Sequence, residues 1–129
     1  MMKKLIIASM AVFFAGASFA DPVEGLWQTP PNDQGGFSYV QIAPCGDMMC
    51  GTVIKAFDST GAEQAGGDLG KVIITGMTSA GEGSFTDGQL LAPSGDKTYS
   101  ASMKVDGDTL KVKVCPSLCK TFGWSKVAG

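Results

Sequence analysis

The stretch "KTYSASMKVDGDTLKVKV" (residues 97–114) decides the fold class. Tyr99, Ala101, Met103 and Val105 alternate with Thr98, Ser100, Ser102 and Lys104, and after a short break Leu110, Val112 and Val114 alternate with Lys111 and Lys113. Successive strand side chains point to opposite faces of a sheet, so each run has one apolar and one wet face. Between them "DGD" at 106–108 is a tight-turn signal, because glycine reaches positive φ freely and aspartate bonds its own backbone. The stretch reads as a β-hairpin with one face in a core.

The same pattern extends outward in both directions. "EGLWQ", "GFSYVQIA", "GTVIKAF", "GKVIITGMT", "GSFTDG", "GQLLAP" and "TFGWSKV" read as further short strands, separated by Gly-, Asp-, Ser- and Pro-rich breaks. The unbroken apolar centre of "GKVIITGMT" predicts a strand buried on both faces. No segment sustains a 3.6-residue period, although residues 62–69 could make one helical turn. The expected fold is all-β, a small antiparallel up-and-down barrel of about eight to nine short strands. A meander this long leaves two exposed edges unless it closes, and closure removes them.

A closed barrel makes the first and last strands neighbours, which brings Trp27 and Trp124 onto adjacent strands. Alternation gives an inward set of Phe37, Tyr39, Ile54, Phe57, Tyr99, Met103 and Trp124. Within it, Trp27, Tyr39, Tyr99 and Trp124 are the expected structural core, and Phe37, Phe57 and Met103 the residues that could face a ligand. An eight-stranded barrel is either filled by side chains or holds one small ligand, and these bulky residues suit both.

The first twenty residues carry an export signal. Lys3 and Lys4 form a basic start, residues 5–14 an apolar run, and "GASFA" places Ser18 and Ala20 at the small-residue positions before a cut ahead of Asp21. The apolar run falls short of the ~20 residues that cross a bilayer. The expectation is a periplasmic protein without a membrane span, a signal peptide at 1–20 and one domain at 21–129. Loss of Lys3 and Lys4 leaves eight lysines against twelve acids, a balance of −4, and there is no arginine. A protein that grips nucleic acid or anionic lipid needs a basic, usually arginine-bearing face, so neither is an expected partner.

Four cysteines remain, Cys45, Cys50, Cys115 and Cys119, an even number for an oxidising compartment, which reads as two disulfides. Three connectivities are open. Each close pair flanks a short loop between two strands, which favours Cys45–Cys50 and Cys115–Cys119. Neither spacing matches the C-x-x-C of a thiol oxidoreductase or of a zinc knuckle. Met48 and Met49 could contribute thioethers to a soft copper site, but methionine more commonly fills apolar gaps. No metal and no cofactor is expected.

There is no histidine, which removes Ser-His-Asp and Cys-His nucleophile systems and histidine-ligated zinc. Carboxylate chemistry stays open, with Asp87 and Asp96 flanking "GQLLAPSG" as its candidates. Turn aspartates more commonly hold their own loops.

The order of motifs has a resemblance. "EGLWQT", "IAPCGDMMCGTVI", "DGQLLAPSGDKTYSASMKVDGDTLKVKV" and "CKTFGWSKV" resemble the bacterial exported family called domain of unknown function 2147, over nearly the whole chain beyond residue 20. Its most specific element, G-x-(I/L)-x-x-P-x-x-G-K-x-Y, is matched by Gly88, Leu90, Pro93, Lys97 and Tyr99. Its L-C-G-x-I element appears as Met49, Cys50, Gly51, Thr52 and Val53, and its closing element as Phe122, Gly123 and Trp124. The chain departs from the family at Leu91, Ala92, the inserted-looking Asp96 and Lys126, where members usually carry an aromatic, an aspartate, no extra residue and an arginine. The resemblance implies a calycin or lipocalin-like barrel with Trp27 plugging its closed end, and it supplies no catalytic residues. The expected function is a non-enzymatic module that binds a small apolar or amphipathic ligand or an envelope component. A carboxylate-dependent enzyme and an envelope stress or protein-interaction module are the alternatives.

Overall fold

A computed structural model describes residues 22–92 and 97–127. The expected signal peptide, Pro93 and Asp96 lie outside the described residues. The chain forms nine strands: β1 (Gly25–Gln28), β2 (Phe37–Cys45), β3 (Met48–Phe57), β4 (Glu63–Gln64), β5 (Val72–Gly81), β6 (Ser84–Leu91), β7 (Thr98–Asp106), β8 (Thr109–Cys115) and β9 (Lys120–Lys126). Eight pair antiparallel around a closed ring in chain order, and the two-residue β4 adds to the side of β3. The described chain is thus all-β, an eight-stranded up-and-down barrel with one extra strand.

The hairpin of β7 and β8 pairs without a slip from Ser100↔Cys115 to Asp106↔Thr109. Gly107 sits in its turn at φ 63°, a region that glycine enters without steric cost. Closure is made by β1 against β9, with Trp27 opposite Lys126 and Gln28 opposite Ser125. Trp27 and Trp124 both lie in the core, diagonal to one another, since Trp124 stands directly opposite Leu110.

The interior is filled. Trp27, Val40, Ile42, Ile74, Met77, Leu110 and Val112 are at most 1% exposed, and Val53, Phe85, Met103 and Trp124 join them. The Trp27 indole donates to the Val23 carbonyl at 2.8 Å, and the Lys126 ammonium lies 5.6 Å from its ring centroid. That face contact is a cation–π attraction. It places a cation from the last strand where the resemblance leads one to expect an arginine.

Four readings of the sequence need correction. "GSFTDG" and "GQLLAP" are one strand, β6. Phe85 pairs with Met103 and Gly88 with Ala101, so two residues, Thr86 and Asp87, face Ser102 in a bulge. The apparent break is this bulge, with Asp87 at φ 63°. β5 is not buried on both faces, for Val72 is 48% exposed while Ile74 and Met77 are buried. The expected helical turn at 62–69 is β4 followed by tight turns.

The fourth concerns the inward set. Phe37, Tyr39, Ile54 and Phe57 lie outside the core cluster. In β2 the aromatic and aliphatic residues occupy opposite faces, and the barrel takes Val40 and Ile42 because Trp27 stands opposite Val40. In β3 the register moves from Val40↔Val53 to Tyr39↔Lys55, so Ile54 is an extra residue. One extra residue exchanges the two faces of a strand beyond it, and Phe57 turns outward beside Phe37. The three rings cluster instead, Phe37 stacked on Phe57 at 4.9 Å and Tyr39 tilted against Phe57 at 4.7 Å between centroids.

Candidate functional site

Strand directions give the barrel two different ends. One holds the β2–β3, β5–β6 and β7–β8 turns and is plugged by Val23 and Trp27. The other gathers the β1–β2, β3–β5, β6–β7 and β8–β9 connections.

At this second end the core stops short. Leu90 of β6, Tyr99 of β7, Val114 of β8 and Phe122 of β9 line an open hollow of about 180 Å³, with Ala92, Pro116 and Lys120 at the strand ends around it. Register puts these side chains on the inner face: Leu90 is opposite Tyr99 and Ile74, and Phe122 is opposite the buried Val112. Phe122 is 42% exposed, a large apolar ring held half out of the core. Lys120, Phe122 and Trp124 share one face of β9, and the exposed Lys120 borders the hollow through its apolar stem. A hollow of this size suits one apolar group: an engineered cavity of about 150 Å³ lined by Leu, Ile and Phe takes up benzene. Whole drug-sized ligands need about 300–1,000 Å³.

The two disulfides hold opposite ends. Cys45–Cys50 spans the β2–β3 turn at the plugged end, and Cys115–Cys119 spans the β8–β9 turn beside the hollow. Chain entropy gives such short loops about 2 kcal/mol each. The second bridge fixes where Pro116 leaves β8 and where Lys120 enters β9.

The rim at this end also carries a tight loop after β3. The Asp58 carboxylate accepts from the Thr60 hydroxyl at 2.6 Å and from the Thr60 and Ala62 amides at 2.9 and 3.0 Å. The Thr60 hydroxyl, then the amides, favour the ionised form and hold the carboxyl below its usual range. A lowered folded-state pKa means that the loop is supported above the unfolded value of 3.8 and loses that support as pH falls through the folded value. Amide resonances of Thr60 and Ala62 followed by NMR should therefore hold steady down to about pH 4 and shift together below it.

The residues expected to act fall in different places. Tyr99 lines the hollow and packs on the core. Met103 is 2% exposed, between Phe85 and Val112 in register, and fills the interior away from the hollow at the barrel end. Phe37 and Phe57 cluster with Tyr39 on the outer wall. Phe122 and Lys120 were not among the expected site residues. Alternation from Trp124 back through "KTFGW" would have found them. Asp87 lies exposed in an open outer groove of about 380 Å³ shared with Lys113, and no other carboxylate lines that groove among the described residues. Its left-handed backbone carries strain for any side chain. Asp87→Gly should leave stability unchanged or raise it by up to about 1 kcal/mol, and Asp87→Val should lower it by about 1–2 kcal/mol, as read from urea denaturation midpoints.

Comparison with known proteins agrees with this architecture. Residues 25–126 match the family described as "Uncharacterized protein conserved in bacteria (DUF2147)". The chain belongs to that family. No relative is found among curated protein sequences. Among solved structures, the chain is similar to protein HP1028 from Helicobacter pylori, described as belonging to the lipocalin family, with a TM-score of 0.69 over 84% of this chain and 85% of that one. Their sequences are 16% identical, so the likeness is one of fold. This DUF2147 chain is therefore a lipocalin-like barrel.

Proposed function

We propose that the protein is a non-enzymatic binding module of the periplasm that takes the apolar end of a small amphipathic anion into the unplugged end of the barrel. The observation that carries this reading is the asymmetry of the two ends. One is sealed by Val23 and Trp27, and the other keeps an apolar hollow lined by Leu90, Tyr99, Val114 and the half-exposed Phe122. Exposed apolar surface of this kind is costly to leave in water and is regained on binding. Lys120 on the rim supplies a charge for an anionic group. The filled interior supports insertion of a chain end, not enclosure of a whole molecule. Export rests on the basic, apolar and small-residue layout of residues 1–20 and is supported by two disulfides.

Isothermal titration with dodecanoate and with dodecanol tests the reading. Both should bind saturably, the carboxylate more tightly. Ala92→Phe, which fills the hollow, should weaken both about tenfold or more, the equivalent of about 1.4 kcal/mol. Lys120→Met should weaken dodecanoate alone, since a hydrogen bond to a charged group contributes about 1.5–3 kcal/mol. Absence of saturable binding, or binding indifferent to Ala92→Phe, would contradict it.

A further inference from the structure

The outer wall of β7 and β8 is built differently from the rest of the surface. Register sets Lys104 directly opposite Lys111. Lys113, the next outward residue of β8, lies between Ser102 of β7 and Thr121 of β9. Three of the chain's lysines therefore share one patch on a protein whose acids outnumber its bases. Like charges directly opposite one another on a sheet repel. Lys111 is partly neutralised by Asp106 at 3.2 Å, while no ion pair joins Lys104 or Lys113 to an acid among the described residues. Asp87 lies in the adjoining groove that Lys113 also borders.

Beside these side chains lies an open hollow of about 300 Å³ whose floor is apolar, with Phe85 and Met103, and at which the three lysines are joined by Thr86, Ser102 and Thr121. Ammonium and hydroxyl groups are the donors that an oxyanion accepts from, and lysine serves phosphate as a mobile point charge. We infer that this face is a second binding site, for the phosphate group of a small soluble molecule, separate from the hollow at the barrel end. Lys104 and Lys113, with the partly neutralised Lys111 beside them, raise the potential over this open hollow and draw in such an anion against the acidic background. A multiply charged oxyanion seated there relieves the opposition of Lys104 and Lys111.

The test is an amide NMR titration of the protein with inorganic pyrophosphate at low ionic strength, beside sodium chloride at matched ionic strength and vesicles of anionic phospholipid. Saturable shifts confined to Ser102, Lys104, Lys111, Lys113 and Thr121 are expected from pyrophosphate and not from chloride. The paired substitutions Lys104→Gln and Lys113→Gln, which keep the stems on an exposed face, should weaken pyrophosphate at least tenfold while leaving dodecanoate binding unchanged. Shifts that chloride reproduces, shifts spread over the whole barrel, an affinity unmoved by the paired substitutions, or a response to vesicles alone would each overturn the site.

Discussion

Trp27→Ala should remove about 3–5 kcal/mol of stability, and Trp124→Ala a similar amount, as for other large-to-small changes in a core. A domain of this size has roughly 5–15 kcal/mol in total, so either change puts the fold near its threshold and the two together should abolish it. The Trp27 loss has three parts. Its indole is fully buried, its ring meets the Lys126 ammonium, and its N–H satisfies the Val23 carbonyl. Removing the indole leaves a cavity and removes the hydrogen bond to the Val23 carbonyl. Trp27→Phe keeps much of the ring and forfeits mainly that bond, so it should cost less than the alanine variant. β1 and β9 pair through Trp27↔Lys126 and Gln28↔Ser125, with the Val127 amide donating to the Leu26 carbonyl at 3.0 Å, so the Trp27 ring also secures the seam where the barrel closes. Urea denaturation of the two single variants, with the slope held constant, measures each loss, and the circular dichroism of the double variant without urea should show an unfolded chain.

The second large effect is expected at Gly88. A Cβ built there would lie 2.5 Å from the Met77 Sδ and 2.8 Å from its Cγ. Met77 is fully buried, so its side chain has little room to withdraw. Gly88→Ala should cost about 1–3 kcal/mol by overpacking. Met77→Ala alone should cost about 2–5 kcal/mol by opening a cavity. In the double variant the new methyl occupies part of the space that Met77 leaves, so the combined loss should fall short of the sum by about 1 kcal/mol or more. Additive losses would show that the two residues do not compete for the same volume. The requirement explains why a glycine opens the "GQLLAP" segment: the methionine that fills the barrel lies against that backbone.

What could be read in advance follows from where alternation is unambiguous. In "TYSASMKV" and "TLKVKV" every outward position is polar and every inward one apolar, with a tight turn between. Strand, face and partner therefore follow from side-chain chemistry alone. In "FSYVQIA" both faces carry apolar residues, aromatic on one and aliphatic on the other, and local patterning cannot choose between them. The choice is made by Trp27, a residue on another strand that stands opposite Val40. In "GTVIKAF" the extra residue Ile54 exchanges the faces, and a bulge of that kind depends on the register of the partner strand. The bulge at Thr86 and Asp87 in β6 depends on its partner strand in the same way. Phe122 and Lys120 were legible from their spacing to Trp124. The same strand both closes the barrel through Trp124 and forms its rim through Phe122 and Lys120.

The most direct test of a barrel sealed at one end and receptive at the other is an NOE measurement on the protein saturated with dodecanoate. The terminal methyl of the chain should show cross-peaks to the side chains of Leu90, Tyr99, Val114 and Phe122, and the carboxylate-end methylenes to Lys120. Cross-peaks from the methyl to Phe37, Tyr39 or Phe57 on the outer wall, with none to the four lining residues, would contradict the account.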